Sequence, residues 1–238
     1  MSQFPYRDQR PAWIDGRTAE TGIRERAFIR SVYAWMAGGL ALTALAAMWV
    51  VFSTSMQQLV FGTPLRWVLL IAEFGLVMYL SFRITKMSPA AAASSFLVFS
   101  LLNGLTLSAI FFVYTQAAIY SAFFTAAGMF AAMSIYGMVT KRDLTGVGSF
   151  MFMGLIGIVI CSLVNIFLKS SALGFAISFI GVFVFLGLTA YDTQKLKAYA
   201  TAPELRENLA VYGALSLYLD FINLFLMLLR LFGGSDRR

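Results

Sequence analysis

Apolar residues come in long runs along this chain, with short polar breaks between them. A helix that crosses a bilayer needs about 20 mostly apolar residues. Runs of that length lie near 29–53, 67–85, 89–114, 118–139, 146–168, 172–192 and 208–231. The breaks carry helix-stopping or charged residues: Gly62 with Pro64, Pro89, Gln116, Lys141 with Arg142, Lys169, and the polar piece 193–207 with Pro203. No period-two alternation marks a strand, and no low-complexity tract is present. A three-plus-three repeat ahead of the last run is not evident by eye. The pattern predicts an all-α polytopic membrane protein. Its seven-transmembrane-helix bundle covers 29–233, with a polar tail at 1–28 and a short tail at 234–238.

Composition supports this class. Hydrophobic residues make up 60% of the 238 and charged ones only 12%, and mean hydropathy is +0.79. A water-soluble domain is about 25% charged, and one of this size could not hide so much apolar surface. The net charge of +7 and pI near 9.7 do not describe a nucleic-acid surface, because the cations lie between apolar runs rather than on one polar face.

Those cations set an orientation instead, since Lys and Arg concentrate in cytoplasmic loops. With the N-terminus inside, the inner set holds the tail residues Arg7, Arg10, Arg17, Arg24 and Arg26. It also holds Arg30, Arg83, Lys86, Lys141, Arg142, Lys195, Lys197 and Arg206. The outer set is smaller: Arg66, Lys169, Arg230, Arg237 and Arg238. Its last three members would also suit a final helix that enters and turns back, but 208–231 is long enough to cross. The tail at 1–28 has no short apolar core behind its basic start, so it reads as a cytoplasmic tail rather than a cleaved signal.

The chain has no histidine and one cysteine, Cys161, inside an apolar run. That argues against Ser-His-Asp or Cys-His catalysis and most zinc chemistry. The expectation is a protein that is not an enzyme and holds no cofactor. A retinal-type receptor would want a lysine within the last helix, and no lysine follows Lys197. A proton-coupled transporter would use the same acids as a leak pathway and stays open as a reading.

An ionisable group in hydrocarbon costs roughly 3 kcal/mol or more, so each asks for a reason. Asp220 sits mid-way along the last run, with Gly213, Ser216 and Asn223 at helical spacing and Leu and Phe opposite. This narrow stripe must face protein or water, which puts the last helix central in the bundle. Asp192 ends the sixth run, where a carboxylate meets the negative end of the helix dipole; Lys195 and Lys197 would offset that. Asp220 lies about 18 Å along the seventh helix, so the two acids match in depth only if Asp192 is well inside the bundle or the seventh helix starts nearer 212. Arg83 ends the second run, as a snorkelling cation or as a bridge to one of the aspartates. Glu73 is deeper and reads as a neutral, hydrogen-bonded acid or as part of a cation path. On the third run, Ser100, Asn103 and Thr106 make a polar wall, while Gly104 and Ala90 to Ala93 allow close packing.

These segments resemble a known family. GLTAYDTQKLK at 187–197 and GALSLYLDFINLFLMLLRLFG at 213–233 are similar to the signature of the transmembrane Bax-inhibitor-motif family. MSIYGMVTKRDLTG at 133–146 and LNGLTLSAIFFVYT at 102–115 look familial too. The likeness runs from about residue 25 onward and is nearest to bacterial inner-membrane members. It implies a seven-helix bundle with the last helix at its centre, and a pH-sensitive calcium leak. In such proteins two aspartates form the pH sensor, and the matching positions here are Asp192 and Asp220, which would also meet the calcium ion. An arginine on the second helix latches the pair, and Arg83 matches in place. Glu73, Asn103, Ser216 and Asn223 are the further candidates for lining a cation path. Calcium, protons and the bilayer are the expected partners. The rival reading is a non-transporting regulator that uses its polar tail to bind a membrane-anchored quality-control protease or other membrane proteins.

Overall fold

The computed structural model describes residues 12–200 and 207–233. The chain ends at 1–11 and 234–238, and Pro203 and Arg206 in the last loop, lie outside the described residues. Among the described residues the elements are all helices, joined by short turns. The elements are α1 (Ala12–Phe52), α2 (Thr54–Phe61), α3 (Leu65–Arg83), a 3₁₀ turn (Ile84–Lys86), α4 (Pro89–Leu107), α5 (Ile110–Val113), α6 (Gln116–Val139), α7 (Thr145–Leu168), α8 (Ser171–Ala200) and α9 (Glu207–Phe232). Seven stretches are long and apolar enough to cross a membrane: Gly22–Phe52, Leu65–Arg83, Pro89–Val113, Gln116–Val139, Thr145–Leu168, Ser171–Ala200 and Asn208–Phe232.

Helix starts follow from local chemistry. Ser88 Oγ accepts from Ala91 N and Thr115 Oγ1 from Ala118 N, each at 3.3 Å, satisfying orphan amides at the first turns of α4 and α6. Ser53 Oγ does the same for Met56 N at 3.3 Å, opening the short helix α2 that the hydrophobic pattern did not predict.

Three boundaries differ from the sequence reading. Helix α1 begins at Ala12 rather than 29, and Phe28, one residue ahead of the predicted run, packs inside the main core with Val32. The third crossing is broken after Leu107, where Ser108 Oγ turns back to Leu105 O at 2.6 Å. Helix α8 runs to Ala200, eight residues beyond Asp192. No glycine or proline interrupts 193–200, and Leu196 and Ala200 are buried in the core. Asp192 is therefore inside a helix, not at its C-terminus.

Helix α9 packs against α1, α4, α6 and α8, and its start is tied to the 3₁₀ turn after α3 by Asn208 Nδ2, which donates to Ile84 O (3.0 Å) and Met87 O (3.1 Å). Of the seven apolar stretches it is the most buried, at 61%, whereas α7 stands at 6% and packs chiefly on α8. Its far end reaches the turn between α7 and α8, where Arg230 and Lys169 line one cavity, so α9 traverses the full bundle.

Close helix approach is set by glycines. A Cβ on Gly104 would land on Thr43 O of α1, and one on Gly137 would land on Ala190 O of α8. Backbone cannot yield as a side chain can. The end of α6 and the loop from it to α7 are clasped by α8: Gln194 Nε2 donates to Arg142 O (2.8 Å), Gln194 Oε1 accepts from Leu144 N (2.9 Å), and Lys197 Nζ donates to Met138 O (3.0 Å). Asp143 in that loop accepts from Thr145 N and Thr145 Oγ1, which holds its carboxyl below the usual range. The turn is thus intact at neutral pH and loosens only as pH falls through that lowered value.

Gly104→Ala and Gly137→Ala should each destabilise by about 1–3 kcal/mol through overpacking, read by denaturation of the purified protein in detergent. Gly128→Ala, with open space at its Cβ, should be neutral or slightly stabilising. Gln194→Ala should raise amide exchange across 140–145 while leaving the α9 amides protected.

Candidate functional site: two polar centres on opposite faces of α9

A cavity of ≈ 520 Å³ opens between α7, α8 and α9. From α9 it is lined by Tyr212, Ser216, Leu219, Asp220 and Asn223, which recur at helical spacing and so share one face. From α8 come Leu188, Tyr191, Asp192 and Lys195, again one face. Helix α7 closes the wall with Ser149, Phe152 and Leu155, and Gly148 lets the Tyr191 ring lie directly on the helix backbone.

Asp192 and Asp220 therefore meet at one cavity. Their depths agree because α8 continues past Asp192. Asp220 is 5% exposed, and its Oδ2 is buried without a hydrogen-bond partner. An unpartnered buried carboxyl oxygen is costly and marks a place where a proton, cation or water is accommodated. Asp192 is half-buried beside it.

Among the described residues that line this cavity the cation is Lys195. Its Nζ lies 5.9, 5.8 and 5.6 Å from the ring centres of Tyr191, Tyr199 and Tyr212, and it donates to Tyr212 Oη at 3.4 Å. Three ring faces hold the ammonium at the cavity edge. Arg83 is exposed at the end of α3 and does not line the cavity. Ser216 is half-buried in the wall, and Asn223 Nδ2 donates back to Leu219 O at 2.8 Å. Gly213, the fourth residue of the stripe, instead brings α9 against Leu196.

Glu73 and Asn103 form a second centre, away from the aspartates. Asn103 Nδ2 donates to Glu73 Oε1, and Thr106 Oγ1 donates to Glu73 Oε2 at 2.9 Å. Tyr218 Oη donates to Asn103 Oδ1 at 3.1 Å and lies 2.7 Å from Thr43 Oγ1, which also reaches Ser100 O at 2.9 Å. One hydrogen-bonded chain thus links α1, α9, α4 and α3.

The face of α9 opposite Asp220 is therefore not only Leu and Phe: it carries the fully buried Tyr218. Two residues apart on a helix means about 200° around its axis, so Tyr218 and Asp220 serve separate centres. The sequence reading missed Tyr218 because a tyrosine among Leu and Phe looks like core. It also gave Lys195 only an offsetting role, although Tyr191, Lys195 and Tyr199 at four-residue spacing put a cation between two rings.

Residues 25–237 match the family described as inhibitor of apoptosis-promoting Bax1. The chain belongs to this family. Among its relatives is the inner membrane protein YbhL of Escherichia coli, 53% identical over 213 residues, covering 87% of this chain and 91% of YbhL. An uncharacterized protein of Rickettsia prowazekii is 42% identical, covering 92% and 93% of the two chains. An uncharacterized membrane protein of Streptococcus pyogenes is 41% identical, covering 92% and 96%. In this Bax-inhibitor family member, the segment 187–197 builds the α8 wall of the cavity and clasps the α6–α7 loop, while 213–233 supplies both polar faces of α9.

Tyr218→Phe should cost about 1–3 kcal/mol, because it leaves Asn103 Oδ1 short of a buried donor. Denaturation in detergent checks this. A loss confined to Tyr218→Phe, with Tyr212→Phe near wild type, would separate the buried chain from the half-buried cavity rim.

Proposed function

We propose that this protein is a pH-sensitive calcium leak pathway of the bacterial inner membrane, with Asp192 and Asp220 as its sensor and gate. The observation that carries the reading is the convergence of both carboxyls on one cavity between α7, α8 and α9, with one oxygen of Asp220 unpartnered. The relationship to an inner membrane protein supports the location. With the N-terminus inside, the cavity lies in the cytoplasmic half of the bundle.

The chemistry follows from charge. Two neighbouring carboxyls in a poorly solvated site do not both ionise readily, and they titrate as a unit. With one proton shared, α8 and α9 are held together and the path is shut. Loss of that proton leaves two negative charges that repel or gather a cation. Calcium takes six to eight oxygens, roughly, and the two carboxylates could supply some of them. Ser216, Asn223, backbone carbonyls and water would supply the rest. Lys195 faces the same charges and competes with the ion, the part that the resemblance gave to Arg83. The site acts by binding and releasing ions, with no bond-making step.

Calcium entry into dye-loaded proteoliposomes tests the reading. Flux should rise between about pH 6 and about pH 8, by at most about tenfold per pH unit for a single proton. Asp220→Asn and Asp192→Asn should each flatten that dependence. Lys195→Gln should move the onset to higher pH, because the doubly charged pair loses its cation, and Arg83→Gln should leave the onset in place. Flux no greater than in empty liposomes at every pH would sink the proposal and leave a regulator that acts by binding membrane partners.

A further inference from the structure

A second cavity, of ≈ 800 Å³, lies at the other end of the bundle, beside the turn between α7 and α8. Its rim carries Lys169 and Arg230, and among the described residues that line it there is no acid. Ser171, the first residue of α8, places a helix N-terminus at the same rim. The turn is built tightly. Lys169 adopts a left-handed conformation (φ 48°), Ser170 N donates to Asn165 Oδ1 at 3.0 Å, and Ser170 Oγ accepts from Leu173 N at 3.3 Å.

Cations near helix C-termini are ordinary, and Lys169 and Arg230 sit at the ends of α7 and α9. Ser178 is not explained that way. It lines the cavity at 1% exposure, and its hydroxyl is buried with no hydrogen-bond partner. It lies two turns below Ser171, about 10 Å deeper along α8. The cavity is thus basic and polar at the rim and carries an isolated hydroxyl farther in. Its side opens to the apolar surface, where Ile166 and Phe175 are 64% and 62% exposed.

We propose that this cavity binds the headgroup region of an anionic phospholipid. The phosphate sits at the rim between Lys169, Arg230 and the α8 N-terminus. Ser178 donates to an acyl ester carbonyl, which in a phospholipid lies deeper than the phosphate, and the chains leave along Ile166 and Phe175. A free phosphate ion would use the rim but not Ser178 or the apolar opening.

The test uses the full chain in detergent, with phosphatidylglycerol, phosphatidylcholine or inorganic phosphate added separately. The readouts are the thermal midpoint and lipid retained in native mass spectra. Phosphatidylglycerol should raise the midpoint more than phosphatidylcholine. Lys169→Gln or Arg230→Gln should weaken its binding about tenfold, the loss of one charge-assisted contact. Ser178→Ala should weaken both lipids, since both carry the ester. Arg66→Gln, which removes a cation outside the cavity, should change nothing. If inorganic phosphate alone gives the full shift, lost in the rim variants but kept in Ser178→Ala, the rim is an oxyanion site and the lipid assignment is overturned. Equal effects of the two lipids, or binding unchanged in the rim variants, overturn the site.

Discussion

A polar side chain within hydrocarbon has to face protein or a water-filled space, and α9 carries two such groups on opposite sides. Tyr218 points its hydroxyl at Thr43 and Asn103, and Asp220 opens to the cavity beside Asp192. A helix with polar demands on both faces has no side left for lipid at that depth. It is accordingly packed by α1 and α4 on the tyrosine side and by α8 on the aspartate side, with Phe123 and Phe130 of α6 filling against Phe221 and Phe225.

The two centres are of different character. Around Glu73 both carboxyl oxygens accept a hydrogen bond, and the chain onward to Thr43 is continuous across four helices. A satisfied buried network fixes geometry and resists change. Around Asp220 one oxygen is unpartnered, the neighbour is a second acid, and the Lys195 ammonium sits among three tyrosine rings. The satisfied centre ties α9 to α1, α3 and α4.

Helix α7 is the outer wall of both cavities. It supplies Ser149 and Phe152 at one end and Ser162, Asn165 and Lys169 at the other. It is also the least buried of the seven apolar stretches. Its contact with lipid and its contact with both cavities follow from the same position at the edge of the bundle.

Much of this was legible in the residues. Run length and the cost of bare backbone in lipid determine seven apolar helices, and the price of an ionisable group in hydrocarbon singles out Glu73, Asp192 and Asp220 before any coordinates. Helical spacing puts Ser216, Asp220 and Asn223 on one stripe, and the structure keeps them on one wall. Spacing along one helix, however, says nothing about which other helix a stripe faces. Only the packing decided that Asp192 lies inside α8, that Asn103 and Thr106 serve Glu73 rather than the aspartates, and that Lys195 instead of Arg83 reaches the cavity. It also turned Gln194 and Lys197 into a clasp on the end of α6 and the loop that follows it. Local pattern determines which residues need a partner; the partner itself is a long-range contact, and that is set by how the helices close on one another.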